Sequence, residues 1–166
     1  YKPVAAPAQY QEGDIDECKV TYPNFSTKAF SVSVDDGSDQ DAVIIPIMKK
    51  YGIKATFNLT GSQWTNYDNY IDDDFEVANH TTHIEMFNEQ YSYDDCINSI
   101  EESYDIIKEK TGAESKGIIW PYRAPKERTF WNDIYAYVQS NYEYAREAGE
   151  SYNFSAPLDW LQWNAT

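Results

Sequence analysis

The 166-residue sequence predicts an α/β fold built on a parallel sheet or barrel. Two observations indicate this class. Short apolar runs typical of buried strands alternate with longer segments of helical periodicity, which is the pattern of repeated β-α-β units. The polar residues with the most distinctive chemistry follow strand-like runs, and parallel α/β folds carry their active sites at the carboxyl ends of the strands. The length suits one domain with a sizeable core.

Five strand-like runs follow one another along the chain. They cover residues 30–34, 55–59, 75–78 and 117–120, with a further short run near Tyr144. Each is apolar and short, as expected for strands that are buried on both faces. The tail from Phe154 to Thr166 shows no clear period, and we predict no element there.

The first helix is predicted between the first two strands. Ser38 with Asp41 resembles a capping box, so we expect the helix to begin at Ser38. Gly52 is a suitable C-terminal stop. Pro46 lies inside the segment and is expected to kink the helix or divide it.

The second helix carries the clearest signals in the chain. Ser92 with Asp95 opens it, and Gly112 closes it. One apolar stripe runs along it, formed by Ile97, Ile100, Tyr104 and Ile107. A third helix is predicted over residues 126–140.

Charge and hydropathy exclude two classes of partner. The chain has 28 acidic and 13 basic residues and a formal net charge of -15. A field of this sign repels phosphate backbones and anionic lipid, so we expect no nucleic-acid partner and no membrane-surface partner. No apolar run approaches the ~20 residues of a membrane helix, so membrane insertion is not expected.

The N-terminal region reads as an extended leader over residues 1–24, ahead of a domain over residues 25–166. Because the chain begins at Tyr1 and shows no signal peptide, we interpret it as a mature form or an excised fragment. Cys18 and Cys96 fit neither a redox pair nor a zinc ribbon. The sequence leaves open whether they form a disulfide or stay separate thiols.

Two polar clusters predict a metal site. Asp35 and Asp36, followed by Gly37, end the first strand-like run, and His80 and His83, the two histidines of the chain, follow the third. One carboxylate and two imidazoles are a common ligand set for catalytic zinc and leave a position for water. A second carboxylate supplies the base that metal-activated hydrolysis needs. Taken singly, Asp-Asp-Gly is an ordinary turn and each histidine an ordinary loop residue.

Three segments in this order resemble the polysaccharide deacetylases of carbohydrate esterase family 4. They are Val34-Asp35-Asp36-Gly37, Tyr51-Gly52-Ile53-Lys54-Ala55-Thr56-Phe57 and Glu76-Val77-Ala78-Asn79-His80-Thr81-Thr82-His83. Order and spacing match over roughly residues 29–125. The resemblance implies a distorted, incomplete (β/α) barrel of about six parallel strands, with residues 25–166 as the catalytic domain and a C-terminal truncation left open.

The resemblance also implies residue roles. Asp35 would be the catalytic base, and Asp36, His80 and His83 would bind a divalent metal, zinc first and cobalt, manganese or nickel as alternatives. The backbone N–H of Tyr122 would hold the oxyanion. Arg123 is expected either to pair with Asp35 or to be an ordinary surface arginine. The implied reaction is hydrolysis of N- or O-linked acetyl groups from an acetylated carbohydrate by a secreted or cell-surface protein.

The sequence departs from the family pattern at three places. The histidines are spaced i and i+3 instead of i and i+4, and no histidine follows His83 to protonate the leaving group. After the family's Arg-x-Pro, Lys126-Glu127 stand where the family has Tyr-Gly, and an offset match with Pro121-Tyr122 as the Pro-Tyr of that motif is the alternative. The missing late histidine favours the alternative of a non-catalytic carbohydrate-binding module with a degenerate site. A third interpretation is hydrolysis of a related C–N amide bond in a small molecule.

Overall fold

The computed structural model describes residues 31–61, 66–70, 75–148 and 163–165. Apart from Ser31, these residues belong to one compact unit that spans residues 32–166. The predicted leader over residues 1–24 and Cys18 lie outside the described residues. The division at residue 25 therefore stays a prediction.

Six strands form one parallel sheet. They are β1 (Val32–Asp36), β2 (Ala55–Leu59), β3 (Glu76–Asn79), β4 (Gly117–Ile119), β5 (Tyr144–Ala148) and β6 (Trp163–Ala165). Their order in the sheet is their order in the chain, and every neighbouring pair is parallel. This single winding direction is that of a (β/α) barrel, since a doubly wound sheet reverses its strand order. In the described residues β1 and β6 do not pair, so the predicted incomplete barrel is confirmed.

Three α-helices and one 3-10 turn connect the strands. They are α1 (Asp41–Tyr51), the 3-10 turn Tyr67–Tyr70, α2 (Tyr93–Thr111) and α3 (Trp131–Asn141). The predicted capping box of α2 is confirmed, because Ser92 and Asp95 each bind the other's backbone N–H. Gly112 closes α2 in the left-handed conformation, as Gly52 closes α1. No helix of the described residues is long and apolar enough to cross a membrane.

The predicted start of α1 is wrong. The helix begins at Asp41, and Ser38 is part of a turn in which its carbonyl accepts a hydrogen bond from the Asp41 N–H at 3.0 Å. Pro46 does not divide α1. Because Pro46 lies in the second turn, only one intrahelical hydrogen bond, to the Ala42 carbonyl, is lost.

Two other boundaries also differ from the prediction. α3 begins at Trp131, since residues 126–130 form successive turns. β1 lies two residues later than predicted and includes both Asp35 and Asp36. The prediction ended the strand before these residues because their side chains are polar. The tail, for which no element was predicted, contains β6.

The two faces of the sheet differ in polarity. Alternate residues such as Phe57, Leu59 and Ile118 join two apolar clusters that pack against the helices on the outer face. The residues between them point to the inner face, which carries Ser33, Asp35, Thr56, Asn58, Glu76, Tyr144 and Arg146. Arg146 of β5 contacts Asp35 of β1, although three strands separate them in the sheet. The sheet must therefore curl around its polar inner face.

Candidate metal centre and active site

Asp36, His80 and His83 converge at the carboxyl ends of the strands. Asp36 Oδ1 lies 3.5 Å from His80 Nε2 and 3.4 Å from His83 Nδ1. The three candidate ligand atoms all lie within 4.8 Å of one another. The structure thus brings together the three residues that were predicted as ligands. One carboxylate and two imidazoles fit a divalent cation such as zinc.

His80 is oriented by a backbone carbonyl. Its ring is buried, and Nδ1 lies 2.9 Å from the carbonyl oxygen of Ile119. Because a carbonyl only accepts hydrogen bonds, Nδ1 carries the proton, and the lone pair of a neutral ring is on Nε2, which faces Asp36. Metal-binding histidines commonly have this arrangement, which fixes both the tautomer and the ring orientation.

The turn between the histidines explains their unusual spacing. Thr81 and His83 have positive φ values of 58° and 66°. Asn79 Oδ1 accepts a hydrogen bond from the Thr81 N–H at 2.8 Å, and Thr81 Oγ1 accepts one from the His83 N–H at 3.0 Å. Left-handed backbone at two positions tightens the turn, so histidines at i and i+3 face one point. Thr81 thus orients the turn.

Backbone strain is concentrated at this site. Four described residues other than glycine have left-handed φ, namely Asp36, Thr81, His83 and Tyr122. Such conformations cost ~1–3 kcal/mol each and persist only where the surroundings enforce them. With both ring nitrogens protonated, His80 donates a hydrogen bond to Asp36, and this is the main reason why the pKa of Asp36 lies below its ordinary value. Partial burial opposes this effect, and the charges of both histidines add to it.

Asp35 lies on the inner face of the sheet beside this triad. Its Oδ1 accepts hydrogen bonds from Asn58 Nδ2 at 2.6 Å and from Arg146 Nη2. Asn58 is fully buried and also donates to Ser33 Oγ at 2.7 Å. Among the described residues, none donates a hydrogen bond to Asp35 Oδ2. One carboxylate oxygen is therefore fixed, and the other is left for a proton.

A model of the polysaccharide deacetylase family matches residues 23–145, which is well over half of the chain. This chain belongs to the polysaccharide deacetylase family. No curated protein matches it significantly by sequence.

Solved structures of carbohydrate esterase family 4 share the fold. The Streptococcus pyogenes deacetylase PplD, in complex with acetate, has a TM-score of 0.64 and 25% identity, over 80% of this chain and 61% of that chain. A family 4 carbohydrate esterase from Streptomyces lividans, also in complex with acetate, has a TM-score of 0.54 and 23% identity, over 64% of this chain and 57% of that chain. A family 4 pseudoenzyme from Bacillus anthracis has a TM-score of 0.54 and 25% identity, over 71% of this chain and 42% of that chain. The chain thus spans less than two thirds of each of these proteins.

In this deacetylase-family chain, Arg123 follows the second of its two predicted alternatives, that of a surface arginine, and does not pair with Asp35. Arg123 Nη1 instead donates to Glu127 Oε1 at 2.7 Å, and its guanidinium lies 4.5 Å from the centre of the Phe87 ring. Arg146 takes the place beside Asp35. The position of Arg146 two residues after Tyr144 puts both side chains on the inner face of β5, but no sequence signal indicates its pairing with Asp35.

Tyr122 lies next to the candidate ligands. Its ring is 5.5 Å from the ring of His83 and 6.2 Å from that of Phe87, and the residue is 53% exposed. Within the described chain, its N–H donates no hydrogen bond. An unpaired N–H on a residue whose ring contacts a candidate ligand fits the predicted role in holding an oxyanion, and that role stays a prediction.

Proposed function

We propose that this chain removes N- or O-linked acetyl groups from a polysaccharide or oligosaccharide by hydrolysis that depends on a divalent cation. Family membership supports carbohydrate deacetylation in general terms. The observation that carries the proposal is the convergence of Asp36, His80 and His83 next to a separately anchored carboxylate, Asp35. A secreted or cell-surface location belongs to the same proposal.

Asp36, His80 and His83 would hold the cation. The donor set of one oxygen and two nitrogens favours zinc, with cobalt, manganese and nickel as alternatives. The hydrogen bond from His80 to the Ile119 carbonyl supports this assignment, since it leaves Nε2 as the donor atom. When bound, the cation supplies a water of lowered pKa and polarises the acetyl carbonyl.

The remaining steps are assigned to this chain's own residues. Asp35 Oδ2 accepts the proton of the attacking water, while Asn58 and Arg146 hold Oδ1 in place. The Tyr122 N–H donates a hydrogen bond to the acetyl oxygen as negative charge develops there. Once Asp35 has taken up the proton of the water, it is the group in the described site placed to return it to the leaving oxygen or nitrogen.

The test compares acetate release with metal binding. Wild-type protein should hold about one divalent ion per chain at neutral pH and release acetate from acetylated xylan or chitooligosaccharide. Asp35→Asn should reduce release at least ~10²-fold with metal content unchanged, since it removes the base alone. Asp36→Asn should lose both metal and activity. Glu114→Gln, which breaks an exposed ion pair with Lys108, is the matched control.

Two results would contradict the proposal. One is wild-type protein that binds no divalent ion at neutral pH, and the other is acetate release that survives Asp35→Asn. A carbohydrate-binding module is the second candidate, favoured by the Bacillus anthracis pseudoenzyme with the same fold. That candidate predicts glycan affinity without acetate release, and the affinity should be equal in wild type and in Asp35→Asn.

A further inference from the structure

The loop after β4, residues 121–125, has few backbone donors. Pro121 and Pro125 have no N–H, which leaves three N–H groups. The Arg123 N–H donates to the Pro121 carbonyl at 2.7 Å, and the Ala124 N–H donates to Glu147 Oε2 at 3.1 Å. Of these three, only the Tyr122 N–H has no acceptor among the described residues. Tyr122 is exposed, so its N–H is open to water or to a ligand.

Glu147 is a buried carboxylate that fixes this loop. It is 7% exposed and directly follows Arg146 in β5, so the two side chains point to opposite faces of the sheet. Its Oε2 binds the Ala124 N–H, and its Oε1 accepts a hydrogen bond from Lys126 Nζ at 2.5 Å. A carboxylate buried in this way requires a partner charge, and Lys126 supplies it.

Lys126 and Glu127 are residues at which the sequence departs from the family pattern, and both form ion pairs. Lys126 binds Glu147, and Glu127 binds Arg123 at 2.7 Å. The loop is thus held at Ala124 and Lys126 by one acid of β5. Tyr122, two residues before Ala124, has a φ of 61°, which is unfavourable for a residue with a side chain. Such a conformation needs fixed neighbours.

We propose that Glu147, paired with Lys126, is a positioning residue for the Tyr122 N–H. By fixing Ala124 it keeps Tyr122 left-handed and its N–H directed at the place where the oxyanion forms. This inference rests on the proposed function. Glu147 does not touch the substrate, and it acts through the loop alone.

The test uses Glu147→Ala, Glu147→Gln and Lys126→Met, with Glu114→Gln as control. In metal-free protein, Glu147→Ala should speed amide hydrogen exchange at Ala124 by at least ~10-fold, because the N–H loses its acceptor. In metal-loaded protein, kcat should fall ~10-fold to 10²-fold, with KM and metal affinity within ~2-fold of wild type, since only a transition-state contact is misplaced. Glu147→Gln keeps an acceptor oxygen and should retain slow exchange and most of kcat.

If Glu147→Ala does not fold, Lys126→Met tests the same ion pair between Lys126 and Glu147, because it changes a half-exposed side chain. Unchanged exchange at Ala124 with unchanged kcat in Glu147→Ala, or in Lys126→Met where Glu147→Ala does not fold, would overturn the inference. A fall in kcat that parallels an equal fall in metal affinity would also overturn it, because this indicates general loss of structure. Wild-type protein that releases no acetate, while Glu147→Ala still frees the Ala124 amide, would refute the proposed function and leave the loop anchor standing.

Discussion

At the scale of single residues, Arg146 determines how Asp35 is held. Its guanidinium is 12% exposed and contacts Asp35, which is 37% exposed, across the inner face of the sheet. Asn58 binds the same oxygen of Asp35. Two donors on one oxygen fix the direction of the other, so Arg146 belongs to the site although it lies on the fifth strand.

We predict an energetic coupling between Arg146 and Asp35. In a double-mutant cycle with Arg146→Met and Asp35→Asn, the coupling in the free energy of unfolding should be ~0.5–2 kcal/mol, at the lower end because Asp35 is more than a third exposed. Urea unfolding of metal-free protein measures it. The exposed pair Arg123 and Glu127, treated in the same way with Met and Gln, should couple by less than ~0.5 kcal/mol. Equal coupling for the two pairs would contradict the structural assignment of Arg146.

At the scale of elements, β4 and β5 fit together because Gly117 has no side chain. Gly117 pairs with Tyr144, and a Cβ built at Gly117 would lie 2.1 Å from Cζ of the Tyr144 ring. The Tyr144 hydroxyl donates to Glu76 Oε1 at 3.0 Å. The ring therefore crosses β4 on the inner face to reach β3, and the glycine leaves room for it.

This contact predicts a non-additive pair of substitutions. Gly117→Ala should destabilise the protein by ~1–3 kcal/mol, because the new methyl group displaces the ring. With Tyr144→Ala in place, the same substitution should have little further effect in urea unfolding. Gly112→Ala is the control, since its Cβ meets no atom within 4 Å and its strain comes from a φ of 75°. Its effect should add fully to that of Tyr144→Ala, and full additivity at Gly117 as well would refute the steric explanation.

Local signals made several elements predictable. β2 was predicted at its observed bounds, and α2 was predicted from Ser92 to Gly112, because a capping box and a left-handed glycine act within a few residues. The start of α1 was missed because a backbone turn replaces a side-chain cap there. β6 was missed because three residues, Trp163–Ala165, are too few to show a period.

One part of the candidate site could also be predicted from the sequence, and another part could not. The convergence of Asp36, His80 and His83 was predictable, since residues at the carboxyl ends of parallel strands meet at one edge. The partners Arg146 for Asp35 and Glu147 for Lys126 were not, because they are 111 and 21 residues apart in sequence. These contacts depend on the curl of the sheet and on the course of a loop, which no local pattern encodes.

At the scale of the whole molecule, Cys96 reports on the integrity of the fold. The thiol is free, 0% exposed, and packed in the apolar cluster that joins α2 and α3 to the sheet. Burial raises its pKa from an ordinary 9.0 to about 11, with Asp95 contributing and Arg128 opposing. Thiolate forms readily only in the unfolded chain, so a thiol reagent reaches Cys96 through unfolding.

The prediction concerns both reactivity and pH. In a Cys18→Ser variant at pH 8, a thiol reagent should modify Cys96 at least ~10²-fold more slowly in native protein than in urea, since reaction requires opening.

The pKa of the Cys96 thiol is higher in the folded protein than in the unfolded chain, so the stability linked to this thiol is fully present below pH 9.0. It is lost as the pH rises towards about 11, because over this range the thiol is ionised in the unfolded chain and still protonated in the folded protein. Tyrosines titrate over part of this range, so the measurement is the difference in unfolding free energy between this variant and the same variant carrying Cys96→Ala. Native labelling as fast as labelling in urea, or a difference that is flat between pH 8 and 11, would show that this cluster is open to solvent.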